Sequence, residues 1–462
     1  MSPILGKRSL ALTAIALVSI SAAPVFAGVR DFMMYQFSGT DGAAPNTLIR
    51  GTKGGFYGAT TSGGANNDGT IFELKADKTL TTLYSFSGPD GSTPNSLIQG
   101  SDGNFYGTTA AGGANGDGTV FELTRAGALT TLYTFSDIDG AAPNSIIQGS
   151  DGNFYGTTVA GGASGDGTVF EITAAGVFTT LHAFNSTDGA QPTGAMIQGS
   201  DGAFYGTAGA GGAGSGTLYR IDSAGNFSTP LIFGVDDFGV ALPVGSLVMD
   251  STGNLYGVTN VIYGAVYQLS PTGVFTKLHQ ILPSQDPTQG AGFNSGLVIG
   301  PDGNLYGATT YGGANDAGTV FRITPSGTLT TLYALQFGNG DGVEPGTLLT
   351  YNDKLFIPGE RAGSNGDGAI GRFPLDPPKP ELEFTISTNT VSVSAGQSAE
   401  LTWIASDAAV SCNGSGDWST IIPFTDSASF VTPTAPGAYT YVMTCPGASG
   451  TATKKVKLTA TD

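Results

Sequence analysis

One tripeptide constrains this chain more than any other feature. Phe56-Tyr57-Gly58 returns as Phe105-Tyr106-Gly107, Phe154-Tyr155-Gly156 and Phe204-Tyr205-Gly206, then as Leu255-Tyr256-Gly257 and Leu305-Tyr306-Gly307. It degrades to Leu355-Phe356-Ile357, and the spacings are 49, 49, 50, 51, 50 and 50. A period near fifty residues marks a repeat architecture in which each copy is one supersecondary unit. In the second copy, Asn95–Gln99, Asn104–Ala110, Thr119–Leu123 and Leu129–Phe135 read as four strands. Tight Asp-Gly or Ala-Gly turns follow the first and third, and a longer glycine-rich loop follows the second. Asp-Gly between alternating segments is a strong hairpin signal, because the turn needs positive φ. A four-stranded meander cannot bury both of its faces alone. Set radially, each blade covers its neighbour. The expected fold is therefore a seven-bladed β-propeller over 28–375.

The chain ends bear on how such a ring completes itself. Asp31–Ser38 matches the fourth-strand segment Leu80–Ser87, while the last copy, Gly346 to about Pro374, supplies only three strands. The N-terminal segment is expected to serve as the fourth strand of the last blade, which removes an open edge. A proline-rich linker, 376–380, leads to 381–462, where short alternating strands predict an immunoglobulin-like β-sandwich. The only two cysteines, Cys412 and Cys445, lie there. In an exported chain they are expected to form a disulfide, worth roughly 3–4 kcal/mol on the chain-entropy account. Trp403 is expected in that domain's core.

Export is read from residues 1–27. Lys7 and Arg8 precede the mostly apolar run Ser9–Ala23, and Val25-Phe26-Ala27 offers small residues for cleavage. With 36 acidic and 18 basic residues the formal charge is −18, and removal of Lys7 and Arg8 takes it to −20 (16 against 36). That balance repels phosphate backbones and anionic membrane surfaces, so nucleic acid and membrane insertion are not expected. A glycan or an extracellular protein is the expected partner, and the protein is expected to be a monomer.

The repeated segments Gly-Ser-Asp-Gly-Asn-Phe-Tyr-Gly-Thr-Thr (100–109, 149–158), Gly-Asp-Gly-Thr-Val-Phe-Glu (116–122, 165–171) and Leu-Thr-Thr-Leu-Tyr (80–84, 129–133) occur in fixed order. They resemble the bacterial GloVer tandem repeat, the Gloeobacter/Verrucomicrobia repeat of choice-of-anchor proteins. The tail around Leu401-Thr402-Trp403 and Tyr441–Cys445 resembles bacterial immunoglobulin-like modules. The resemblance implies a secreted or surface location and no particular activity. The chain departs from it in having no hydrophobic tail with a basic end and no sortase-type motif, so release, periplasmic residence or non-covalent attachment is expected.

Candidate site residues follow from connectivity. The loops between second and third strands, and those between blades, share one face, and function concentrates on loops held by a rigid scaffold. The former carry Asp68, Asp117, Asp166, Asp316 and Asp367; the latter carry Asp41, Asp90, Asp139, Asp188 and Asp341. A ring of carboxylates has the chemistry for Ca²⁺, the only cofactor in question. Nearly all of these residues precede glycine, which is also what a turn requires. Both readings stand at this stage. The least regular sector adds Asp236, Asp237, Phe238 and Tyr263, because a specific site needs asymmetry. No catalytic constellation is visible: His182 and His279 occupy positions where other copies have Tyr84, Tyr133 and Tyr333. The expected function is a non-enzymatic binding or scaffold role, with glycan or matrix components as ligands. The alternative is a polysaccharide lyase or glycosidase using carboxylates of the long-loop face.

Overall fold

A computed structural model describes residues 33–462, except 213, 235–241, 261–263, 283–287, 336–343, 364, 376–381, 387–391, 396–398, 406–411, 418–422, 425–426 and 448–449. Among the described residues all regular structure is strand. Seven antiparallel sheets follow one another as the blades of a propeller. In blade 2 the four strands are Ser92–Gln99, Phe105–Ala111, Thr119–Leu123 and Leu129–Thr134. The first strand begins three residues earlier than its apolar pattern indicates, because Ser92 pairs with Ala111 across a bulge that follows Pro94. Proline lacks the N–H that an unbroken ladder needs.

In blade 7 the strands Leu349–Tyr351, Lys354–Gly359 and Ala369–Pro374 are joined by Met33–Gln36, which lies antiparallel to Ala369–Gly371. Met34 and Phe37 are buried in one cluster with Leu48, Phe56, Phe72 and Ile370, so this segment packs against blade 1 as well as blade 7. Across the same seam Arg50 lies over the Tyr351 ring, 4.5 Å from its centroid, and donates to the Tyr351 hydroxyl.

First strands of neighbouring blades pack on one another and form the inner ring. Asn46, Asn95 and Asn144 give their side-chain amides to the Pro94, Pro143 and Pro192 carbonyls of the next blade at 3.2, 2.8 and 2.7 Å. Between blades the aromatic motif does the packing. Tyr57 meets Phe105 with centroids 4.5 Å apart, and the Tyr106–Phe154 and Tyr155–Phe204 pairs stack at 4.1 Å. These rings are buried and serve the interior.

The glycine of the motif has a packing reason. Gly107 is register partner of Phe121, and an added Cβ would run into that ring and the Ser96 carbonyl. Blade 7 inverts the pair: Ile357 stands in the glycine position, and its register partner is Gly371, where other blades have Phe or Tyr. The apparent decay of the last motif is a compensated exchange of large for small.

C-terminal to the blades, strands form a three-stranded sheet (Leu382–Ile386, Ala399–Ala405, Ser427–Val431) and a five-stranded sheet. In the larger sheet Cys412–Gly416 runs antiparallel to Gly437–Gly447 with Asn413 opposite Thr444. The linker 376–380 and the segment 1–27 lie outside the described residues, as does the Trp403 side chain.

Candidate functional site

The long-loop face is built from two recurring devices. In the first, an outer-strand tyrosine is tied to an aspartate six residues on. The Tyr133 hydroxyl donates to Asp139 Oδ2 at 2.7 Å, while the Ser136 N–H donates to Oδ1 at 2.9 Å. Tyr35–Asp41 and Tyr84–Asp90 repeat this arrangement, and burial together with the aspartate pushes both of these tyrosines up to about 12. In blade 3 the device uses His182, whose Nε2 lies 3.2 Å from Asp188 Oδ2 without the alignment of a hydrogen bond. Burial lowers the His182 pKa, partly opposed by Asp188. The ring stacks on Phe227 with centroids 3.7 Å apart. Asp41, Asp90, Asp139 and Asp188 therefore fasten turns to outer strands. The signal for this in the sequence is the constant six-residue spacing from Tyr or His to Asp.

The second device is a seam bond between blades. The residue opening each first strand has positive φ in Ala44, Thr93, Ala142, Gln191, Leu242 and Glu344, between 52 and 58°. Non-glycine residues adopt this region at a cost. Here the geometry aims the N–H at the preceding blade: Ala44, Thr93, Ala142 and Gln191 donate to the carbonyls of Asp367, Asp68, Asp117 and Asp166 at 2.8, 3.0, 3.0 and 2.9 Å. Four of the predicted site residues thus sit at equivalent seams, one blade apart. Asp316 instead folds its own loop, accepting the Gly312 N–H at 3.1 Å. Among the described residues no three of His, Cys, Asp or Glu converge as a metal site. Asp236, Asp237, Phe238, Tyr263 and Asp341 lie outside the described residues.

Departures from the repeat gather in blades 5 to 7. At the positions of Ser62, Ala111, Ala160 and Ala210, blade 6 has Tyr311 and blade 7 has Arg361. Tyr311 is 60% exposed and lies over the Gly292 backbone. The Arg361 Nε is 3.1 Å from Glu344 Oε2, with the Arg361 side chain 73% exposed. Glu360, where earlier blades have Thr61, Ala110, Val159 and Gly209, donates its N–H to the Glu344 carbonyl at 3.2 Å. Burial raises the Glu360 pKa, and the nearby Glu344 charge raises it further. Perturbed acids in a loop face are candidate functional groups. Sequence reasoning missed Tyr311, Glu344, Glu360 and Arg361. The available signal was their size and charge at positions where most other copies are small and uncharged.

A tyrosine-clamped, seam-bonded ring with one irregular sector defines a repeat propeller whose conserved spacing is architectural. The chain belongs to the Gloeobacter/Verrucomicrobia repeat family, whose model matches residues 26–213 and 178–370. No curated protein matches it. Among solved structures it is similar to the PQQ-bound aldose sugar dehydrogenase of Streptomyces coelicolor, at 14% identity and TM-score 0.42, covering 64% of this chain and 96% of that one. It is also similar to a protein of unknown function from Dyadobacter fermentans, at 14% identity and TM-score 0.41, covering 74% and 96%. A functionally unknown protein from Desulfotomaculum acetoxidans matches at 14% identity and TM-score 0.42, covering 63% and 85%.

Proposed function

We propose that this is an exported, non-catalytic binding protein whose ligand, a glycan or matrix component, docks on the long-loop face in the sector of blades 5 to 7. The observation that carries the reading is the tying of the Asp139-type carboxylates to outer strands, paired with the departures Tyr311 in blade 6 and Glu344, Glu360 and Arg361 in blade 7, where the repeat breaks. An exposed tyrosine on one blade and mixed charges on the next suit a polar ligand with apolar faces. Segment 1–27 acts as the export signal, and Met33–Gln36 fastens the ring. The C-terminal sheets form an immunoglobulin-like module stapled by Cys412–Cys445, a reading supported by the pairing of the two strands that carry them. Retention on immobilised polysaccharides, read together with product release, tests the proposal. Retention without products is the expected result; retention on none of the polysaccharides or cell-surface extracts would defeat it.

One observation favours a second reading. Glu360 is held toward its protonated form beside Glu344, the pairing a glycoside-cleaving enzyme uses for an acid and its partner carboxylate. Product formation lost in Glu360→Gln would select that reading.

A further inference from the structure

On the opposite, tight-turn face, five seams have a glycine in the turn between third and fourth strands, and one of the five is open. The turn between third and fourth strands leans on the outer strand of the preceding blade. A Cβ added at Gly127, Gly176, Gly225 or Gly327 would meet the backbone of Leu83, Leu132, Leu181 or Leu278. At Gly273 of blade 5 nothing lies within 4 Å. The residue of blade 4 in the corresponding place is Pro230. Two further exchanges clear the same spot. Asn104 and Asn153 bridge to Glu122 and Glu171 in blades 2 and 3, whereas blade 4 has Ala203 and Arg220 at those positions. The result is a crevice of about 480 Å³ between blades 4 and 5, within the roughly 300–1,000 Å³ of small-molecule sites.

Its two walls differ in chemistry. One is polar: Arg220 Nε and Nη2 lie 3.1 and 2.8 Å from Asp201 Oδ2, and the Tyr205 hydroxyl donates to the same oxygen at 2.9 Å. The Arg220 and Asp201 side chains keep 33% and 42% exposure, so they are accessible from the crevice. The other wall is apolar, formed by Pro230, Met249, Leu269 and Pro271. The ion pair cancels its own charge, which disfavours an anionic or a cationic ligand. It still presents further guanidinium N–H donors beside Asp201 Oδ1, which accepts the Ala203 N–H at 3.2 Å, a match for adjacent hydroxyls that both give and accept hydrogen bonds. An apolar wall facing such a pair fits the C–H face of a sugar ring.

We infer that the blade 4–5 crevice binds a neutral pyranose unit, with Asp201 and Arg220 on adjacent hydroxyls and the ring face against Met249 and Pro271. This site lies on the face opposite the long loops and does not depend on the reading given above. The test is saturation-transfer NMR and calorimetry of the full chain with neutral disaccharides of gluco, galacto and manno configuration. Three variants accompany the native chain: Arg220→Met, Thr252→Trp on the exposed lip, and Tyr311→Ala on the other face. At least one disaccharide is expected to bind, with affinity reduced about tenfold or more in Arg220→Met and Thr252→Trp, while Tyr311→Ala reports separately on the long-loop face. Melting temperatures confirm that the variants fold. No binding to the native chain, or binding that survives Thr252→Trp, overturns the crevice. Binding that survives Thr252→Trp and falls in Tyr311→Ala would do so while leaving the long-loop proposal standing.

Discussion

At the scale of single residues, near-identical repeats make each departure a natural experiment. Thr108 and Thr157 donate to Asn95 Oδ1 and Asn144 Oδ1 at 2.8 and 2.5 Å. Blade 1 has Ala59 in that place, and Asn46 Oδ1 is buried without a partner. Ala59→Thr is expected to supply the missing donor and stabilise the fold by about 1 kcal/mol, read as a higher thermal midpoint. His182 allows a pH prediction. Its folded pKa lies below the ordinary 6.5 because burial penalises the imidazolium. The unfolded chain therefore binds the proton more readily, and stability is complete above about 6.5 and falls as pH drops toward the folded value. His182→Tyr, the residue used by blades 1 and 2, is expected to flatten thermal midpoints measured between about pH 5 and 7. An unchanged slope would remove His182 as the cause.

At the scale of strands, the exchange in blade 7 gives a stricter test. Ile357→Gly alone empties a buried site and is expected to cost about 3 kcal/mol or more, while Gly371→Phe alone overfills the blade. The double variant rebuilds the pair used by the other blades. It should recover part of both losses, with a coupling of about 1–3 kcal/mol in a double-mutant cycle of thermal or denaturant unfolding. Additive losses would mean that Ile357 and Gly371 do not compensate. The strands themselves were legible in the sequence because period-two alternation recurs and Asp-Gly turns punctuate most copies. Two things were not. In six blades the αL residue at the opening of the first strand is Ala, Thr, Gln, Leu or Glu, types that carry no turn signal, so its seam bond is invisible without backbone geometry. The complementary change at Gly371 lies fourteen positions from Ile357, outside any single motif.

At the scale of the whole molecule, repeat count and order could be read directly, but the site could not. In the acidic ring that the sequence offers, Asp41, Asp90 and Asp139 clamp turns through their carboxylates, while Asp68, Asp117, Asp166 and Asp367 serve the seams through their main-chain carbonyls. Residues of interest appear where repetition fails, and part of that sector, Asp236–Phe238 and Tyr263, lies outside the described residues. Ring integrity has its own test. Met34 is 3% exposed in the cluster that joins blades 7 and 1, so Met34→Ala should cost about 2–4 kcal/mol. A thermal midpoint equal to that of the native chain would show that the N-terminal strand does not hold the ring.

The central claim is a division of labour: repeated residues build the blades, and departures from the repeat bind. It is tested most directly by measuring ligand retention on the same polysaccharide or surface extract for two sets of variants. Tyr311→Ala and Glu360→Gln are expected to weaken retention about tenfold or more with little change in melting. Asp139→Asn and Tyr133→Phe should lower the melting temperature and leave retention intact. Retention lost through Asp139 and Tyr133, and indifferent to Tyr311 and Glu360, would contradict the account.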